Sequence, residues 1–143
     1  APALTLSGAL LFSALLLPSF GSGSEGTART FAVIERQLAS ADLGPDVPPT
    51  APVITDYPIW LPYVTGRPGL ALPFEDPSSV ADLAYHLDAK LVVVVSREHP
   101  FPGRVAAGAP GSDCFQAVPL APPPDPDDAR AVADVRLYRF VCQ

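Results

Sequence analysis

The sequence predicts an α/β domain. The expected fold is a small three-layer sheet with a parallel βαβαβ core and an antiparallel C-terminal strand pair, preceded by a hydrophobic, transmembrane-like helix. Three observations carry this. Leu91-Val92-Val93-Val94-Val95 is a run of five aliphatics, four of them β-branched, which reads as a strand buried on both faces. In the segment before it, Asp76 to Leu87, residues Val80, Leu83, Ala84 and Leu87 fall at i, i+3, i+4 and i+7 and make one apolar helical stripe. Asp76 is placed to N-cap that helix, and Pro77 has the fixed φ suited to its first position. A helix that feeds a doubly buried strand after two or three residues is the second half of a βαβ unit.

Composition bounds the rest. The chain has 143 residues, a length that suits one domain, and 48% hydrophobic against 17% charged residues is enough for a core. A net charge of -6 and a pI near 4.6 argue against a nucleic-acid partner. Lys90 is the single lysine, so there is no polybasic patch for anionic lipid. Of the 19 prolines, ten cluster between Pro45 and Pro58 and between Pro119 and Pro126, where they mark extended connectors. The chain starts with Ala and contains no Met, which reads as a fragment or processed product with function upstream of residue 1.

Residues 1–20 carry no charge. A spanning helix needs about 20 apolar residues, so this run is expected to be the last transmembrane span, either whole or the outer part of a longer one. A signal peptide would open with a basic region, which is missing here; a buried core helix is the third possibility. Gly21-Ser22-Gly23-Ser24 is a flexible break, so 21–26 reads as a linker and 27–143 as a soluble domain. A helix is expected from Thr27 to Ala41, with Phe31, Ile34 and Leu38 on one face and Gly44-Pro45 as its stop.

Pro52-Val53-Ile54-Thr55 reads as a first strand ended by Asp56. Tyr57 to Val64 follows, limited by its prolines to a turn or two of helix, with Ile59, Tyr63 and Trp60 expected to pack back on the sheet. Thr65-Gly66-Arg67-Pro68 is a turn, and Gly69-Leu70-Ala71-Leu72 a second strand closed by Pro73. The connection of about a dozen residues is near the minimum for a parallel crossover. Ser96 to Asp113, rich in glycine and proline, reads as a long loop. Phe115 to Leu120 resumes strand character. Pro122 to Pro126, with Asp125, Asp127 and Asp128, reads as a solvated acidic loop. Val135 to Cys142 alternates as a strand with one wetter face, expected to pair antiparallel with Phe115 to Leu120 at one sheet edge.

Cys114 and Cys142 each border a strand-like run. They read as one disulfide, against the alternative of two unrelated buried thiols. A bridge closing 28 residues would contribute roughly 3–4 kcal/mol and would place the domain in an oxidising compartment. Arg29 and Arg36, close to the apolar run, weakly favour the cytosolic side. Two arginines inside a folded domain are the weaker argument, so the extracytoplasmic side is expected. No Cys/His spacing suggests zinc.

Candidate chemistry is sparse. Asp127-Asp128 has no accompanying His or Glu and reads as a solvated turn rather than an acid/base or metal pair. His86 and His99 have no Ser or Cys partner at a recognisable spacing. No GxGxxG or GxxxxGKS motif occurs. No catalytic residue, metal or cofactor is expected. The better candidate is a binding segment made of Asp56, Tyr57, Trp60, Tyr63, Thr65 and Arg67. It follows the first strand's carboxyl end, where open α/β sheets bind ligands, and its aromatics, carboxylate and arginine suit a sugar or an anionic headgroup. The competing account is structural: Asp56 caps the short helix, the aromatics are core, and Arg67 pairs with Asp56.

Ile54-Thr55-Asp56-Tyr57-Pro58-Ile59-Trp60, followed by Tyr63-Val64-Thr65-Gly66-Arg67-Pro68-Gly69-Leu70-Ala71-Leu72-Pro73, resembles the soluble tail of bacterial multi-spanning glycosyltransferases. These are the dolichyl-phosphate-mannose and arabinosyl-transferase type of the GT-C superfamily. In such tails a spanning helix is followed by a helix, a connector, a DxPxW…TGRP…LP segment, and a helix leading into a Val-rich strand. The resemblance covers about residues 27 to 96. It implies a non-catalytic extracytoplasmic domain packed on the transmembrane domain of the same protein. The enzyme as a whole would use a polyprenyl-phosphate sugar donor and a glycan acceptor at the cell membrane. The family's catalytic acidic residues lie in its first extracytoplasmic loop, a region this chain lacks, so no catalytic residue carries over. The alternative is a free-standing membrane-anchored α/β binding module with its own small-molecule or protein partner.

Overall fold

The computed structural model describes residues 25–142. The apolar run 1–20 and most of the 21–26 linker lie outside them; residues 25 and 26 are already helical. Among the described residues no helix is long and apolar enough to cross a membrane.

Helix α1 covers 25–40. It is followed by β1 (Val53–Thr55), α2 (Trp60–Thr65), β2 (Gly69–Ala71), α3 (Pro77–His86), β3 (Leu91–Val94), α4 (Phe101–Ala106), a 3₁₀ turn (Ser112–Cys114), β4 (Phe115–Val118), α5 (Pro126–Ala131) and β5 (Arg136–Phe140). The five strands form one mixed sheet in the order β2-β1-β3-β5-β4. The first three are parallel, with Ile54 opposite both Leu70 and Val92. β5 runs antiparallel to both β3 and β4, so the C-terminal pair extends the parallel core at one edge.

The Val-rich strand β3 is the middle of the sheet and all four of its residues are buried, as a strand covered on both faces must be. Side-chain alternation divides the core in two. Val53, Leu91, Val93 and Leu137 face Phe31, Ile34 and Leu38 of α1, Leu61 of α2, and Val132. Ile54, Val92, Val94, Tyr138 and Phe140 face Val80 and Ala84 of α3, and Phe101 of α4. The crossover β1-α2-β2 leads one way along the sheet and β2-α3-β3 leads back across β1. Two right-handed connections in opposite directions put their helices on opposite faces, which is where α2 and α3 lie.

Four expectations are corrected. The stretch after β3 is not one long loop: it folds into α4. Pro100 and Pro102 sit where a helix's first turn tolerates proline, and Phe101, fully buried, meets Phe115 and Tyr138 edge-on at 5.1 and 5.5 Å. The acidic stretch is likewise a helix. Asp125 caps α5 by accepting from the Asp127 and Asp128 N–H groups, and Asp128 is buried. Ile59 and Tyr63 do not pack on the sheet; they are 80% and 82% exposed, and Leu61 fills that role. Trp60 stacks on Phe31 of α1 at 5.9 Å instead. Finally, Asp76 precedes α3 without a side-chain cap bond, and Leu87 is left exposed where the helix ends and Asp88 turns at φ 50°.

Cys114 and Cys142 form a disulfide across the antiparallel pair, beside the Val141 N–H donated to Cys114 O. It lies at the sheet edge where the parallel strands begin, since Leu91 is opposite Arg139.

Candidate functional site

Strand order reverses between β1 and β3, and the crevice at their carboxyl ends is where ligands bind in open α/β sheets. Here that crevice is closed by a side chain. The two carboxylate oxygens of Asp56 accept the Val95 and Ser96 N–H groups, at 2.9 and 2.7 Å. These are the first amides beyond β3, left without a strand partner. Asp56 therefore ties the ends of two parallel strands together. It neither caps α2 nor meets Arg67. Thr55, fully buried, accepts the Tyr57 N–H at 3.2 Å and turns the chain out of β1.

A cleft opens beside this clasp, lined by Thr55, Asp56, Tyr57, Leu72, Phe74, Ser96, Glu98 and His99. His99 is 6% exposed. Its Nδ1 accepts the Phe101 N–H at 3.3 Å, and Phe74 covers the ring with centroids 4.5 Å apart. Burial pushes the His99 imidazole below its ordinary pKa; the Asp56 carboxylate and the Leu72 backbone oppose the shift, and Arg104 adds to it.

The six residues of the expected binding segment are not brought together. Asp56 and Tyr57 line the cleft. Trp60 and Tyr63, with Ile59 and Pro62, form a separate apolar groove on the outside of α2. Thr65 and Arg67 lie at the opposite sheet edge beside Leu38 and Ala39 of α1. There the Thr65 hydroxyl donates to Leu61 O at 2.7 Å and accepts the Arg67 N–H. Gly66 takes the left-handed conformation that ends α2, at φ 69°. The Arg67 guanidinium donates to the carbonyls of Pro48 and Ala51, at 2.8 and 3.4 Å, and burial lowers its pKa.

His99, Glu98 and Phe74 were missed as cleft residues. The signal was available for His99: a strand parallel to β1 must leave the sheet at the edge where Asp56 sits. The glycine- and proline-rich composition of 96–113, which is that of a loop, conceals it. A second polar cluster joins α1 to α5. Asp128 accepts from Arg29 Nε at 2.6 Å and Arg36 Nη2 at 3.1 Å. The hydrogen bond from Arg29 is the chief reason that the Asp128 carboxyl is held below its ordinary pKa, against the effect of burial. Among the described residues no group of His, Cys, Asp and Glu is arranged to hold a metal ion.

No protein-family model matches the chain, and no curated protein or solved structure is significantly similar to it.

Proposed function

We propose that this chain is the non-catalytic extracytoplasmic C-terminal domain of a GT-C type membrane glycosyltransferase that uses polyprenyl-phosphate sugars, held at the membrane by the apolar run 1–20. One observation carries the reading: the polar residues of the segment that bears the family resemblance are engaged in holding the fold. Asp56 clasps β1 to β3, Thr65 and Gly66 terminate α2, and Arg67 fastens the connector before β1. The disulfide fits an oxidising compartment. In such a protein the domain packs against the transmembrane part and the chemistry lies upstream.

The upstream coding sequence tests this first. Many spanning segments are expected before residue 1; a start codon and signal peptide directly before it would overturn the reading. In the full-length protein, Arg67→Ala and Asp56→Asn are expected to change the amount of folded protein and leave the transfer rate per folded molecule at the parent value. A fall in kcat at unchanged folding would make the segment part of the reaction. The cleft beside His99 favours a second reading, a membrane-anchored binding module, which the upstream sequence also separates from the first.

A further inference from the structure

Resting on the membrane attachment just proposed, we infer that the carboxyl edge of the parallel strands, with the outer face of α2, is a lipid-docking surface seated in the headgroup region of a zwitterionic bilayer. The first support is where exposed apolar side chains collect. Tyr57, Ile59, Trp60, Tyr63 and Phe74 are five of the eight large hydrophobics exposed among the described residues. Tyr57, Ile59 and Trp60 follow the end of β1, Phe74 follows the end of β2, and Tyr63 lies one turn along α2. Residues 57–64 carry no charge. Tyrosine and tryptophan at a polar–apolar boundary are the side chains that favour a membrane interface, each presenting an apolar ring and a polar tip.

The second support is the direction of α1. Its C-terminal part, Leu38 and Ala39, lies beside Thr65 and Arg67 at the amino edge of the strands. Asp46, just beyond it, faces Arg139 opposite the first residue of β3. Phe31 meets Tyr57 and Trp60 at the other edge, with centroids 5.4 and 5.9 Å away. Helix α1 therefore runs antiparallel to β1. Its described start at residue 25 is about 9 Å beyond Phe31 at 1.5 Å per residue. The described chain thus begins at the same edge that carries the aromatic patch, and the uncharged residues 1–20 precede it in sequence. One bilayer can hold the apolar run and receive the patch without any bend in α1. The charge balance selects the lipid. Asp56, Glu75, Asp76 and Glu98 stand at or near this edge against two cations, Arg97 and Arg104, the latter donating to the Phe74 carbonyl and facing Asp76, and the chain's net charge of -6 disfavours an anionic surface.

Trp60 is the only tryptophan, so its emission reports on the patch alone. The full 143-residue chain would be reconstituted in phosphatidylcholine vesicles, with lipid brominated high on the acyl chain as a contact quencher. Flotation in a density gradient would be scored in parallel. The expected result is flotation with about a twofold loss of Trp60 emission. The loss should be abolished in the double variant Ile59→Asp, Tyr63→Asp, which still floats. Both positions are exposed, so the variant should fold; its circular dichroism and intact disulfide check this. Flotation without quenching would overturn the docking surface and leave membrane attachment standing. Quenching unchanged in the double variant would overturn it as well, since the anchor alone would then bring Trp60 to the lipid. Failure to float would sink both ideas. A concentration-dependent blue shift without lipid quenching would instead give the patch to a second copy of the chain.

Discussion

At the scale of residues, three side chains decide more than their numbers suggest. Asp56 satisfies two amides that β3 leaves without partners. Asp56→Ala removes two bonds to a charged acceptor and should cost about 1.5–3 kcal/mol, measured by urea unfolding of the anchored domain; Asn, which keeps one acceptor oxygen, should recover part of it. Asp128 and His99 set a pH dependence in the same direction by different routes. Asp128 has a lowered folded pKa, so its pairing with Arg29 and Arg36 stabilises above the unfolded carboxyl pKa and is lost as pH falls through the folded value. His99 is also lowered, by burial, so the unfolded state takes up the proton first and stability begins to fall below about pH 6.5. Midpoint temperatures should be flat above neutrality and drop in two stages on acidification. Asp128→Asn should remove the lower stage and His99→Gln the upper one; a single stage in the parent protein would refute this assignment.

At the scale of elements, α2 shows how a short helix is held. Six residues long, it has a single fully buried side chain, Leu61, and no side-chain N-cap. Its position depends on close approach to β2. A Cβ at Gly69 would come within 2.1 Å of Pro62 Cγ and 2.8 Å of the Pro58 carbonyl. Gly69→Ala must therefore push α2 away from the sheet, at about 1–3 kcal/mol, with a change in Trp60 emission as the ring leaves Phe31. The sequence allowed β1, β2, α3 and β3 to be read because local signals agreed with the tertiary demand: β1 and β3 are fully buried and apolar but for Thr55, β2 is a short apolar run at the sheet edge, and α3 carries one clear stripe. Helices α4 and α5 were not legible. Their composition is that of loops, and they exist because Phe101 and Asp128 find partners distant in sequence, in β4, β5 and α1. The candidate site failed for a related reason. A crossover begins at one sheet edge and ends at the other, so residues 56 and 67, close in sequence, stand at opposite ends of the strands.

At the scale of the molecule, the disulfide closes the antiparallel pair that forms one flank of the sheet. Cys114→Ser with Cys142→Ser should lower stability by roughly 3–4 kcal/mol and leave the unbridged β4, an edge strand, the first element to exchange its amide protons. Exchange measured residue by residue would check this, and earlier exchange in β3 than in β4 would contradict it. The strand order has a consequence in time as well. The central strand β3 pairs on one side with β1, Ile54 against Val92, and on the other with β5, Val92 against Tyr138, a partner 46 residues further along. During synthesis the parallel half can assemble early, yet one side of its middle strand stays open until β5 has left the ribosome. Over that interval Val92 and Val94 present an unpaired hydrophobic edge, the part of the chain most in need of protection as it is made.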